Sequence, residues 1–289
     1  MRKSYRYRYW YRKKTGILPL LAIPLIIILI IILIISSCSN QKKLVINLSD
    51  VSAMRIPYAA AERLRLMSDS YALSFAGTLA LFTADNRFRA PLMAAKSSYE
   101  ETSAYIFDYS KKVAAIGEKN LSPYTTLFYT LLAETKRFPI DGDFTEYMYG
   151  DNFGSETFSG QASHNGIDII SRENAAGKLP VVSSCAGIVE ACGISPTDGY
   201  YLGVRALSGN YYYYAHLDNL SPAVFEGNTI AIGECLGFMG SSGTGESKYG
   251  YPVRLHFSIL ARTSLSKDEL WINPYIFLRL AEGESLFYY

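Results

Sequence analysis

The sequence predicts a membrane-anchored α + β protein, with a small helical domain followed by an all-β, mainly antiparallel domain. Three observations carry that prediction. Residues 17–35 form an unbroken apolar run. Residues 50–136 repeat their apolar positions at a helical period and hold little Gly or Pro. From residue 153 onward short β-rich runs alternate with glycine-bearing turns.

The chain of 289 residues begins with "MRKSYRYRYWYRKK", which holds seven Lys/Arg and no acid. Without those seven, 21 basic residues (28 less seven) face 26 acidic ones. That balance argues against a nucleic-acid partner, which needs clustered positive charge. Residues 1–16 read instead as a basic cytoplasmic tail flanking a membrane segment.

"ILPLLAIPLIIILIIILII", residues 17–35, would span about 28 Å as a helix, close to the hydrocarbon thickness. The segment 17–37 therefore reads as a transmembrane anchor or a lipoprotein signal. The basic residues before it keep that end cytoplasmic, so the rest of the chain is expected outside the cytoplasm. Ile35-Ser36-Ser37-Cys38 resembles the bacterial lipobox, which implies lipidation at Cys38; the alternative is a cysteine at the membrane edge. Either way the expected location is the bacterial cell membrane, single-pass or lipid-anchored. Residues 38–49 read as a linker.

In the helical domain, 50–136, the runs 59–88 and 97–120 carry amphipathic periodicity. A third helix is expected in "LSPYTTLFYTLLAETKRF", capped near Ser122 with Pro123 at its first position. Residues 137–152, with Pro, Gly and Asp, read as a connector. The β domain, 153–280, holds seven strand candidates: "GIDII", "LPVVSS", "AGIVEAC", "YYLGVRAL", "NYYYYAHL", "TIAIGECLGFMG" and "VRLHFSIL". Alternate members of Tyr211–Tyr214 suit sheet-core packing. Residues 281–289 read as a tail. Beyond Cys38 three cysteines remain; Cys185 and Cys192 could pair across a hairpin, which leaves at least one free thiol.

All three histidines of the chain, His164, His216 and His256, fall in the β-rich half. In "HNGIDI", positions 164, 166 and 168 would share one side of an extended segment, and Gly166 between His164 and Asp168 would leave room for an ion. A His plus a carboxylate suits zinc, whose catalytic sites take three protein ligands and keep one position open. Either remaining histidine could supply the third ligand.

"HNGIDI", "YYYYAHL" and "VRLHFSI", in this order, resemble the motifs of the LytM/lysostaphin-type zinc metallopeptidases, peptidase family M23, with its duplicated hybrid motif fold. Those carry HxxxD, a "YAHL" segment and a terminal HxH such as "HLHFEI". The glycine framework of "LPVVSSCAGIVEACG" and "VFEGNTIAIGECLGFMGSSGTG" is similar as well. The resemblance covers about residues 150–262. It implies zinc held by His164, Asp168 and His256, with His216 as a catalytic histidine. It implies hydrolysis of peptide bonds in peptidoglycan stem peptides or cross-bridges. Arg254 stands where the family has the first His of HxH. Arg cannot act as a base but can donate hydrogen bonds to an oxyanion. An alternative follows from degenerate relatives: a LytM-like scaffold or activator of other wall hydrolases, with a protein partner in a membrane complex. Specificity is expected in the cleft loops 194–201 and 241–252.

Overall fold

The computed structural model describes residues 26–29, 44–156, 163–243 and 251–285. The predicted membrane segment lies outside these apart from 26–29, and Cys38 lies outside them too. Among the described residues no helix is long and apolar enough to cross a membrane.

From residue 44 onward seven helices come first: α1 (Leu48–Ser52), α2 (Tyr58–Ser70), α3 (Phe75–Asp85), α4 (Ala90–Ala95), α5 (Tyr99–Phe107), α6 (Tyr109–Ile116) and α7 (Glu118–Glu134). The run 59–88 breaks after α2, where Ala72 takes a left-handed conformation at φ 52°. Ser74 then caps α3, its side chain accepting from the Gly77 N–H at 3.2 Å. Ser98 caps α5 in the same way, and Glu100 and Glu101 face the positive end of its dipole. The third predicted helix starts earlier than its Ser-Pro signal suggests. α7 begins at Glu118 after Gly117 at φ 89°, and Pro123 lies inside it. Proline removes one backbone bond there, but Leu121, Tyr124, Leu127, Phe128 and Leu131 bury a continuous stripe that favours the longer helix. Helix α3, buried along nearly its whole length, packs against α7.

Ten strands follow: β1 (Tyr147–Tyr149), β2 (Ile167–Ser171), β3 (Pro180–Val182), β4 (Gly187–Ser195), β5 (Gly199–Ala206), β6 (Tyr211–Leu220), β7 (Thr229–Ile230), β8 (Cys235–Met239), β9 (Arg254–Ala261) and β10 (Leu270–Ile272). They form one antiparallel sheet in the order β1-β2-β9-β6-β5-β4-β7, with β10 beside β9 and β8 joining β6 to β3. Strand β1 arises within the predicted connector. The run 229–240 divides into β7 and β8 around Gly233, which has φ 78°. The described residues close with α8 (Tyr275–Ser285), where sequence reading placed the end of the β region and a tail.

Tyr212 and Tyr214 are fully buried while Tyr211 and Tyr213 face outward, as strand alternation requires. Helices and sheet share one hydrophobic core. The Phe128 and Phe277 rings lie 6.2 Å apart, and those of Phe138 and Tyr147 4.9 Å. At the C-terminal end of α7, the Glu134 carboxylate accepts from the Ser208 N–H (3.2 Å), Asn210 Nδ2 (2.9 Å) and the Tyr212 hydroxyl (3.4 Å). Cys185 and Cys192 are free thiols, not a disulfide. They flank the extended segment 187–192, which alone covers roughly 17 Å, far beyond the reach of a disulfide.

Candidate metal centre

Strand β9 alternates strictly. Leu255, Phe257 and Ile259 are fully buried in the core, while Arg254, His256 and Ser258 share the opposite face. Register places Asp168 of β2 directly opposite His256, and Ala215 of β6 opposite His256 on its other side. Asp168 of β2 and Arg254, His256 and Ser258 of β9 thus lie on one face of adjacent strands.

His164 sits in the turn before β2. Its backbone is fixed by bonds to Ser155 (2.9 Å) and from Gly154 (2.7 Å). Its Nδ1 faces the Asn152 carbonyl at 3.1 Å. That oxygen can only accept, so Nδ1 carries the proton and Nε2 of the neutral ring presents a lone pair. This Nε2 lies 3.0 Å from Asp168 Oδ1 and 3.0 Å from His256 Nδ1. His256 Nδ1 is 3.0 Å from the same Oδ1, which completes a triangle. On the far side of His256, Nε2 reaches Ser258 Oγ at 2.7 Å.

The triangle fits a cation. Ligands about 2.0–2.1 Å from one tetrahedral zinc stand roughly 3.3 Å apart, close to what is seen here. All three corners are acceptor atoms when His164 and His256 donate outward to Asn152 and Ser258, and a single proton cannot satisfy three such atoms. The set of two imidazoles and one carboxylate matches zinc chemistry. Burial opposes the charge on Asp168, but when their rings are protonated His164 and His256 donate to it, and these bonds with their charge hold its carboxyl well below the usual range. Burial also disfavours protonated His164, yet the bond to Asp168 and its negative charge raise that pKa overall.

Gly166 makes room for protein rather than for an ion. A Cβ there would stand 2.4 Å from the Phe257 carbonyl oxygen, 2.7 Å from Ser258 Oγ and 2.8 Å from His256 Cε1. The glycine lets β9 and the His256 ring close against β2.

His216 is delivered by an irregularity in β6. Pairing with β5 shifts between Tyr200 and Leu202, and His216 takes a left-handed conformation at φ 63°. Its N–H donates to the Asp198 carbonyl at 2.8 Å, and its Nδ1–H to that of Ser242 at 2.8 Å. Nε2 therefore carries a lone pair, and Arg254 Nη2 donates to it at 3.1 Å. Burial and then the Arg254 charge lower the His216 pKa to about 4. Arg254 itself is buried, with Nε lacking a hydrogen-bond partner among the described residues and lying 3.9 Å from Asp168 Oδ2. Of the predicted cleft loops, 194–201 borders His216 through Asp198, and 241–252 is described only at its two ends.

Sequence reading missed Asn152, Ser242 and Ser258. Ser258 had a signal, since it follows His256 by two on the same strand face. Asn152 orients His164, and Ser242 orients His216, through backbone carbonyls, which leave no mark on residue identity.

Residues 162–268 match the family model of Peptidase family M23. The L-Ala--D-Glu endopeptidase of Bacillus subtilis (strain 168) is 31% identical over 141 residues, which are 48% of this chain and 41% of that protein. This chain thus spans less than half the length of that relative. A crystal structure from Ruminococcus gnavus ATCC 29149, a candidate glycyl-glycine endopeptidase lytM, is 25% identical with a TM-score of 0.60. The match covers 86% of this chain and 96% of that one, more than the β-rich part alone, so the helices belong to the shared fold. The matched residues, 162–268, hold His164, Asp168, His216, Arg254 and His256, so the part of the chain that carries the site is the part similar to peptidase family M23.

Proposed function

We propose that this protein is a zinc metalloendopeptidase that hydrolyses peptide bonds of peptidoglycan stem peptides or cross-bridges. The observation that carries the reading is the triangle of His164 Nε2, Asp168 Oδ1 and His256 Nδ1, each pair 3.0 Å apart, with His164 oriented from outside by Asn152. His164, Asp168 and His256 would hold the ion. Bound zinc supplies Lewis-acid polarisation of the scissile carbonyl and a water of lowered pKa.

The chain's own groups do the rest. His216, kept neutral by burial and by Arg254, has its proton on Nδ1 and its lone pair on Nε2. Nε2 takes a proton from the attacking water and returns it to the leaving amine nitrogen. For that, the Arg254 guanidinium leaves Nε2 and donates to the oxygen that gains charge. The bonds named for the two relatives, L-Ala–D-Glu and glycyl-glycine, are the first substrates to try.

One observation favours a second reading, a LytM-like scaffold or activator of other wall hydrolases within a membrane complex. Arg254 already occupies the His216 lone pair at 3.1 Å. Murein digestion by wild type and by His256→Ala separates the two. Cleavage by wild type that His256→Ala abolishes supports the peptidase. A zinc-loaded wild type that cuts no peptidoglycan type supports the scaffold.

The apolar run 17–35 and the Cys38 motif support attachment to a bacterial cell membrane, with the remaining chain outside the cytoplasm. Mass spectrometry of the N-terminus in the membrane fraction tests this. A lipidated Cys38 or an intact residue 1 agrees with it, and a chain that partitions wholly to the soluble fraction overturns it.

A further inference from the structure

We propose that Asn152 is a positioning residue for the three-ligand centre, and that the helical part of the chain holds it there through Arg55. The inference deepens the zinc reading and rests on that reading for its affinity measurement alone.

Asn152 touches two of the three ligand residues in different ways. Its carbonyl accepts from His164 Nδ1 at 3.1 Å, which selects the tautomer with Nε2 free. Its side-chain oxygen accepts from the Asp168 backbone N–H at 3.3 Å, which pins the start of β2. Both contacts demand a fixed backbone at 151–153, yet this stretch belongs to no strand or helix.

Arg55, between α1 and α2, straddles that stretch. Its Nε donates to Asp151 Oδ2 at 2.9 Å and its Nη2 to the Phe153 carbonyl at 2.8 Å, so one guanidinium grips the residues on both sides of Asn152. The buried Asn273 holds the same carboxylate from beyond β10, at 3.0 and 3.2 Å. Asn273 and Trp271 bond in turn to Ser52 of α1, at 2.8 and 2.6 Å. Helix α1, the loop after it and the end of β10 thus form a frame around the Asn152 turn. A lysine cannot copy the grip, because a single ammonium lacks the planar fork that spans two acceptors.

The test uses the whole 289-residue chain with nitrogen-15 in its histidines; only three histidines are present, so each ring is resolved. In metal-free wild type, His164 should show the proton on Nδ1. Arg55→Ala should move it toward a tautomer mixture and weaken zinc binding about 10-fold in competition with a chromogenic chelator. Lys112→Ala, which removes a comparable ion pair to Asp85 within the helical part, should change neither. Unchanged ring shifts and zinc affinity in folded Arg55→Ala overturn the proposal. Should Arg55→Ala fail to fold by circular dichroism, Arg55→Lys decides by the same two readouts. Wild type that holds no zinc overturns the zinc reading, while the ring shifts still decide this one.

Discussion

Arg254 Nη2 donates to His216 Nε2 across 3.1 Å, so a permanent cation rests on the one lone pair that a base at this position has to offer. The relationship joins two strands 38 residues apart in sequence and depends on the left-handed turn of His216. Arg254 is buried beside Asp168, whose second carboxylate oxygen faces it, so its charge is not stranded.

Arg254→His should raise murein cleavage. The substitution frees His216 Nε2 and adds a second imidazole on the same face. General acid–base groups contribute about 100- to 10,000-fold, so a gain of at least about 10-fold in kcat is expected. Release of soluble muropeptides over time checks it; a rate at or below wild type contradicts the placement of Arg254 as a restraint on His216.

The His216 ring should titrate near pH 4, because burial and the Arg254 charge both disfavour its protonated form. Arg254→Met should bring that midpoint up toward the ordinary value near 6.5. The stability consequence has a definite sign. The folded pKa lies below the unfolded one, so the contribution is full above about pH 6.5 and is lost as pH falls through about 4. Nitrogen-15 shifts of the ring against pH measure the midpoint, and denaturation at several pH values measures the loss.

Zinc should stabilise the fold in proportion to its concentration. At about 100 times Kd a ligand that binds only the native state adds about 2.7 kcal/mol. A chelator should reverse the rise in melting temperature. In His256→Ala one corner of the triangle is gone, and zinc should no longer shift the melting temperature.

Gly166→Ala should damage both fold and site. The new methyl would meet the Phe257 carbonyl at 2.4 Å, and a backbone atom inside a paired strand has little room to yield. A destabilisation of about 1–3 kcal/mol is expected, with weakened zinc binding because His256 lies 2.8 Å from the same point. Chemical denaturation with and without zinc separates the two effects.

Much of this arrangement was legible from residue order. Strand alternation alone places Arg254 and His256 on one face, and the motif spacing brings His164, Asp168 and His216 into consideration. The remainder depends on contacts that no local pattern encodes. The extended reading of 164–168 gave Gly166 the wrong neighbour, because it could not foresee how closely β9 would approach. His216 points into the site only through the irregularity in β6, and nothing in "YYYYAHL" announces a left-handed histidine. Pro123 looked like a helix start because proline favours that place, but the apolar stripe from Leu121 to Leu131 outweighed one lost bond.

Glu134 gives the helices a part in the folding of the sheet. The turn between β5 and β6 leaves the Ser208 N–H and the Asn210 amide in need of an acceptor, and the carboxylate that serves them ends a helix more than 70 residues earlier. That hairpin carries His216 on its second arm. Helices and sheet should therefore melt in a single cooperative transition, and loosening the end of α7 should be felt as lost order at the histidine.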